Sequence, residues 1–374
     1  MKSMAMLYCQ HSLGMGHLVR SLTLAEALRD RFELAFLNGG PVPANLPLPP
    51  GIRFEHLAPL RMDETGQLIG DGAVDEILAR RRDRMLALAR ELRPRLLVVE
   101  LYPFGRKKFA SELDPLIAAV REGGGKVVSS VRDILVGERV DQARHDERAV
   151  QCLNRAFDAV LVHADASLTK LSDTFRPATA PTIPIFHTGF VARRTEASPC
   201  NPDGPTLVTA GGGIVGQALY HAAIEAQRTW WNRRRWPMVV VAGPMFPQAD
   251  WAALGAAASG VAGLGLLCSA PSLVPLLREA GRVVSQCGYN SALEIARSGR
   301  PALFVPFARG QESEQTARAR QLSGLGLCDW LAEDGLSGKA LARRLLDLAP
   351  PQAVRPLDFD GAARSAELLG KLAA

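Results

Sequence analysis

Val283-Val284-Ser285-Gln286-Cys287-Gly288-Tyr289-Asn290-Ser291-Ala292-Leu293-Glu294 is followed by a helical run to Ser298, by Gly299, and by the apolar stretch Pro301 to Pro306. In order, these are a short buried strand, a turn of glycine and small polar residues, a helix, and a second buried strand, the βαβ unit of a parallel sheet. The turn opens the helix, so N–H groups of the first helical turn have no intrahelical partner and can receive a phosphate. Ser285, Gly288, Tyr289, Asn290 and Ser291 lie at this turn. Glu294 follows one turn later, where its carboxylate can accept two ribose hydroxyls. Beyond the second strand, Gln311-Glu312-Ser313-Glu314-Gln315 offers acid and amide groups to the hydroxyls of a sugar. The plainer alternative is an exposed acidic helix start with capping value only.

The same rhythm extends outward. Thr206 to Ala210, Met238 to Ala242 and Leu264 to Cys268 are short β-rich runs between helical stretches. Ala5 to Tyr8, Glu33 to Leu37, Leu96 to Glu100, Val127 to Val131 and Ala159 to His163 repeat the pattern in the first half. Apolar strands alternating with helices mean parallel sheets covered on their faces. From about Thr188 to Pro205 the residues Pro199, Pro202, Gly204 and Pro205 break any period and mark a linker. A chain of 374 residues has length for two cores. The expected architecture is α/β, with one Rossmann-like domain over 1–190 and a second over 205–374.

Two further glycine turns carry chemistry. Thr209-Ala210-Gly211-Gly212-Gly213-Ile214-Val215-Gly216 joins a strand to a helix, and bare backbone at a helix N-terminus suits a diphosphate. It also fits G-x-G-x-x-G, but a dinucleotide site needs an acid at the end of the next strand to hold the ribose. That strand ends in Gly243-Pro244, which argues against a nicotinamide enzyme. In the first half, Ser12-Leu13-Gly14-Met15-Gly16-His17 follows the first strand and opens a helix to about Asp30. Gly14 and Gly16 let backbone approach a ligand, and a neutral His17 can take a proton from an incoming hydroxyl. A tight turn with a capping histidine is the alternative. His11 is a second histidine for the same crevice.

A formal charge of +6 and a pI near 9.2 favour anionic partners: nucleotide-sugars, phospholipid surfaces or nucleic acid. With 6% aromatic residues, a base-stacking surface is the least expected of these, so no nucleic-acid partner is predicted. Arg80, Arg81, Arg82 and Arg84 cluster on the helical stretch Val74 to Leu92, which reads as a solvated face, with an anionic surface as the alternative. The cysteines at 9, 152, 200, 268, 287 and 328 form no C-x-x-C pair and read as free thiols of a reducing cytoplasm. Neither a signal peptide nor a span of about 20 apolar residues is evident, so a cytoplasmic protein with at most peripheral contact at the inner face of a membrane is expected. No metal and no cofactor are predicted.

The GxGH loop after the first strand, the GGG loop after the first strand of the second half, and Ser-x-x-Gly-Tyr-Asn-Ser-x-x-Glu before Pro-Ala-Leu-Phe-Val-Pro-Phe together resemble glycosyltransferase family 28. The resemblance covers most of the chain and is specific over roughly 206 to 320. It implies a GT-B fold, two Rossmann-like domains with parallel sheets facing across a cleft. It also implies inverting, metal-independent transfer of a hexose-type sugar from a nucleotide-sugar, most simply a UDP-sugar, to an acceptor hydroxyl. Gly211, Gly212, Gly213 and Ser285 to Ser291 would then cradle the pyrophosphate, Glu294 would hold the ribose, and Glu314 with Gln315 would contact the donor sugar. His17 would be the base, with His11, Gly14 and Gly16 on the acceptor side. The acceptor is a lipid-linked molecule or a small metabolite. Gly-Met-Gly-His stands where the peptidoglycan member of the family has consecutive glycines, and Glu-Gln where it has Gln-Gln, which leaves the donor sugar open. Gly-Met-Gly-His-Leu-Val-Arg-Ser-Leu-Thr-Leu-Ala is also similar to nucleotide-sugar hydrolases of the same fold. A hydrolase, a 2-epimerase and a non-catalytic binding module remain the competing readings.

Overall fold

The computed structural model describes all residues except 1, 12–14, 44–45, 64–65, 136–140, 195–198 and 309–312. Gly14 of the first glycine turn and Gln311 and Glu312 of the acidic segment therefore lie outside the described residues.

The chain divides into two compact units. Of the described residues, the first comprises those of 2–11, 17–192 and 357–374, and the second those of 193–356. The first unit is built on β1 (Ser3–Cys9), α1 (Gly16–Leu28), β2 (Phe32–Asn38), β3 (Arg53–His56), the short pair β4 (Arg61–Met62) and β5 (Leu68–Ile69), α2 (Val74–Leu92), β6 (Leu96–Glu100), α3 (Ala110–Glu122), β7 (Lys126–Arg132), α4 (Gln142–Ala156), β8 (Ala159–His163) and β9 (Ile185–His187). Its seven-stranded sheet has the order β3-β2-β1-β6-β7-β8-β9. Every pairing in it is parallel. Strands such as Leu96 to Glu100 are buried throughout, as central strands with helices on both faces must be.

The second unit repeats the scheme with β10 (Thr206–Thr209), α5 (Gln217–Arg234), β11 (Met238–Val241), α6 (Gln248–Ala258), β12 (Leu264–Leu267), α7 (Val274–Glu279), β13 (Arg282–Ser285), α8 (Tyr289–Ser298), β14 (Ala302–Phe304), α9 (Glu314–Gly324), β15 (Asp329–Trp330) and α10 (Gly338–Leu346). Its strand order is β12-β11-β10-β13-β14-β15, again parallel. The core gathers Val208, Val240, Val284 and Leu303 from the sheet with Leu219, Ile224, Trp230 and Leu341 from the helices.

The last helix, α11 (Gly361–Ala373), corrects the expected domain limits. Its apolar face, Ala366, Leu369 and Ala373, belongs to the core of the first unit with Leu7, Leu34, Val128 and Leu161. Arg364 secures its start by donating to the Thr188 carbonyl at 2.6 Å and pairing with Asp358 at 2.5 Å. Residues 357–374 thus leave the unit to which a boundary at 205–374 assigns them. Asp358 and Asp360 are an Asp-x-Asp pair, yet they serve this helix entry: the Asp360 N–H donates to Asp358 Oδ1 at 3.0 Å. Among the described residues, no group of three or more His, Cys, Asp or Glu side chains is placed to hold a metal ion.

The arginine cluster of α2 is the expected solvated face only in part: Arg80 and Arg84 are exposed, but Arg81, read with them, turns inward because a buried carboxylate is there to pair it. Arg81 is buried and pairs with Glu112 at 2.7 Å while donating to Gln10, Gly39 and Ala58. Arg82 faces Asp83, and Arg84 faces Glu55. Most of the charge is matched locally. Among the described residues, no helix is long and apolar enough to cross a membrane.

Candidate functional site

In an open parallel sheet, ligands gather at the carboxyl ends of strands where the order reverses, because the loops from neighbouring strands diverge there. The first sheet reverses between β1 and β6, and the second between β10 and β13. Both motif sets fall at these points.

In the first unit, β1 leads to α1, whose second residue is His17, and β6 ends in Glu100. His17 Nδ1 lies 2.5 Å from Glu100 Oε1. Arg20, one turn along α1, donates to the same oxygen at 2.5 Å, and Arg106 reaches Oε2 at 3.5 Å. Burial would raise the Glu100 carboxyl, but the imidazole and the two guanidiniums outweigh it and hold it well below the usual carboxylate range. An ionised Glu100 can only accept, so His17 Nδ1 carries the proton and Nε2 keeps its lone pair. Burial, with help from Arg106 and Arg20 and against the pull of Glu100, lowers His17 to about 3. At neutral pH it is an uncharged imidazole with its tautomer fixed and 14% of its side chain exposed. Behind Glu100, Ser130 is its register neighbour on β7 and is hydrogen-bonded to His163 Nε2 at 2.7 Å.

His11 has a different setting. It is fully buried, and a Cβ on Gly40 would stand 2.6 Å from its ring, so it is packed into the interior of the unit. Gly16 is exposed at the start of α1.

In the second unit, the loop after β10 takes left-handed backbone at Gly211 (φ 61°) and Gly213 (φ 94°). A Cβ at Gly213 would stand 2.1 Å from the Ala242 carbonyl oxygen, so bare backbone is required there. Tyr220 sets the floor of this loop: its hydroxyl donates to the Ala242 carbonyl at 2.6 Å and accepts the Ala210 N–H at 3.1 Å. Gly213→Ala is expected to cost on the order of 1–3 kcal/mol of stability through strain at this backbone conformation, which urea unfolding would measure.

The loop after β13 comes alongside. A Cβ on Gly211 would stand 3.1 Å from Ser291 Oγ, and Gln286 donates to the Val215 carbonyl at 3.0 Å. Gly288 is the N-cap of α8 in extended backbone, with no side chain capping the helix start. The glycine loop and the first turn of α8 (Tyr289, Asn290, Ser291) thus share one sheet edge. Two members of the predicted set have local duties. Ser285 Oγ donates to the Gln286 carbonyl at 2.8 Å, and Tyr289 is buried with the Arg318 guanidinium 5.7 Å from its ring centre.

Glu294 is 5% exposed on α8. Burial raises its carboxyl to about 7, with Arg193 pulling the other way. Since the folded state binds this proton more tightly than the unfolded chain, its effect on stability falls as pH climbs towards about 7 and is flat above. A ligand diol donating to the carboxylate favours the ionised form. UDP is therefore expected to gain affinity relative to 2′-deoxy-UDP as pH rises from about 6 to about 8, a comparison that cancels the titration of the phosphate. Calorimetry at several pH values checks this, and a constant ratio would separate the carboxylate from the ribose. Glu314 is buried at the start of α9. Gln315 Oε1 accepts the Phe307 N–H at 3.2 Å, so its carbonyl holds the loop after β14 and its amide NH2 is the end left for a ligand.

The sequence reading missed Glu100, Arg20 and Arg106. The signal was present: Leu96-Leu97-Val98-Val99-Glu100 is an apolar run closed by one acid at the carboxyl edge of a central strand. Arg20 lies three residues past His17, on the same helix face.

Residues 269–359 match the glycosyltransferase family 28 C-terminal domain, a span that holds Ser285 to Gln315. The UDP-N-acetylglucosamine--N-acetylmuramyl-(pentapeptide) pyrophosphoryl-undecaprenol N-acetylglucosamine transferase of Rhodospirillum rubrum is 39% identical over 72 residues, 19% of each chain. Its namesake from Leuconostoc mesenteroides is 28% identical over 137 residues, 37% of each chain. The matched stretches thus span well under half the length of these relatives. Among solved structures, Acinetobacter baumannii MurG is similar with TM-score 0.56 and 16% identity, covering 98% of this chain and 95% of that one. A UDP-glucosyltransferase from Polygonum tinctorium gives TM-score 0.61 and 17% identity, covering 100% and 99%. The second unit is family-28-like in sequence, and the chain has the GT-B fold of these transferases.

Proposed function

We propose that the chain is an inverting glycosyltransferase, which moves a hexose-type sugar from a UDP-sugar to an acceptor hydroxyl. The observation that supports the reading is the approach of the Gly211–Gly213 loop to Ser291 at the uncapped start of α8, the helix that one turn later carries the buried Glu294. Ser291 and Glu294 lie within the family-28 match. The backbone N–H groups receive the diphosphate, Glu294 accepts the ribose hydroxyls, and Glu314 and Gln315 face the donor sugar. His17 Nε2 takes the proton of the acceptor hydroxyl while Glu100 stabilises the imidazolium that forms, as a carboxylate behind a histidine does. The acceptor oxygen bonds to the anomeric carbon as its bond to the diphosphate breaks, and the anomeric configuration inverts. Charge builds on the leaving diphosphate, and fixed N–H dipoles aimed at it supply the electrostatic stabilisation.

The names of the relatives support an acceptor that is lipid-linked or a small molecule: one kind acts on an undecaprenol-linked substrate, and the Polygonum tinctorium enzyme glucosylates indoxyl. A cytoplasmic location with peripheral membrane contact fits the first kind. The rival with a specific observation behind it is a hydrolase, since the His17–Glu100 pair would activate water as readily as a sugar hydroxyl. The test is nucleotide release from a panel of UDP-sugars. The expected result is slow release in buffer and fast release once the right acceptor is added. Cleavage to free sugar at ordinary enzyme rates in buffer alone would establish the hydrolase.

A further inference from the structure

A second surface of the second unit has no place in this chemistry. From Trp251 to Leu267 the sequence carries no charged residue, and in that stretch, which forms most of α6 and all of β12, only Leu254 is buried. Ala252, Ala253 and Ala256 are exposed on α6, and Leu267 is 40% exposed on β12, the edge strand of its sheet. Trp251, Val261, Leu264 and Leu266 are half-buried against the core, so what faces water is an uncharged run of small residues with Leu267.

One border of this surface is strongly basic. Helix α5 ends in Trp230-Trp231-Asn232-Arg233-Arg234-Arg235-Trp236, and Arg233, Arg234 and Arg235 are all exposed. Among the described residues no carboxylate forms an ion pair with any of the three; Asp203, in the stretch before β10, acts on the buried Arg282. Arg235 lies over the Trp231 ring at 5.3 Å, and Arg234 over the Trp236 ring at 5.4 Å, with Arg282 3.6 Å from the same Trp236 ring. The turn is continuous with the uncharged surface. Arg228 on α5 donates to the Ala257 carbonyl at 2.6 Å, and Gly263, just before β12, sits so close to Trp231 that a Cβ would stand 2.0 Å from its ring. This turn interleaves aromatic and basic residues in a chain that is only 6% aromatic.

We propose that α6, β12 and the arginine turn form a docking surface for an anionic phospholipid bilayer. Indole rings and arginines at the border suit the headgroup layer, and an uncharged face of alanine and glycine with Leu267 exposed beside them can lie against the acyl boundary. A nucleic acid would engage the arginines but leave the uncharged face uncovered.

The experiment is flotation with phosphatidylcholine vesicles, with and without phosphatidylglycerol. Two multiple variants are compared with wild type: Arg233→Gln with Arg234→Gln and Arg235→Asn, the asparagine chosen for the left-handed backbone at that position, and Ala253→Glu with Ala256→Glu. UDP affinity and thermal unfolding serve as controls for the fold. Wild type should bind only the anionic vesicles, in a salt-sensitive way. The arginine variant should bind about a hundredfold more weakly, roughly fivefold for each charge removed. The glutamate variant should also lose binding, although its changes lie away from the arginines. The proposal is overturned if wild type ignores anionic vesicles, if either folded variant binds like wild type, or if the glutamate variant instead dissolves a dimer.

Discussion

His17→Ala is expected to lower turnover by roughly 10²–10⁴-fold while leaving UDP affinity nearly unchanged. The size follows from losing general-base assistance; the selectivity follows from the location of His17, which belongs to the first unit, whereas the residues assigned to the donor belong to the second. Glu100→Gln is the companion variant. A glutamine keeps a carbonyl oxygen for His17 Nδ1 and Arg20 but removes the negative charge that stabilises the imidazolium as it forms, so a clear loss in kcat is expected. Full activity in both would remove the pair from the mechanism. Because burial keeps His17 uncharged down to about pH 3, kcat at saturating donor should show no acid limb near the ordinary histidine value.

The second large effect is on binding. Glu294→Ala should weaken UDP by about 1.5–3 kcal/mol, the range for hydrogen bonds to a charged group, or roughly 10- to 150-fold in Kd. Fold stability should suffer little, because a buried carboxyl raised to about 7 is not a source of stability at neutral pH. Calorimetric titration measures the first quantity and urea unfolding the second. Unchanged UDP affinity would remove Glu294 from the donor site.

Much of the architecture was legible because buried parallel strands are short apolar runs, and Leu96 to Glu100 or Met238 to Val241 have no other reading beside their flanking turns. The edge strands were not. Arg53–His56 has no buried residue and Asp329–Trp330 has two half-buried residues; what makes them strands is the hydrogen-bonding edge of a neighbour, which no local pattern records. Helix α11 was read as a helix in the wrong company, since an apolar stripe does not say which core it covers. In the candidate site, glycines announced themselves through the backbone they permit. Glu100 did not, because its role arises from two neighbouring strands and a helix that are 83 residues apart in sequence at the His17 contact. His11, offered by its place near a strand end as a second histidine of the crevice but with a structural role as the plainer reading, lies buried against Gly40. The expectation of metal independence rests partly on the absence of an Asp-x-Asp pair; the chain does carry one, Asp358-Phe359-Asp360, and its two acids form a helix entry.

The central claim is that the second unit holds a nucleoside diphosphate through backbone N–H groups and Glu294. Titration of UDP into the full chain in excess EDTA tests it most directly, with wild type, Glu294→Ala and His17→Ala side by side. The account predicts saturable binding to wild type without added metal, binding weakened roughly 10- to 150-fold in Glu294→Ala, and wild-type affinity in His17→Ala. A strict requirement for Mg²⁺ or Mn²⁺, or equal losses in the two variants, would contradict it.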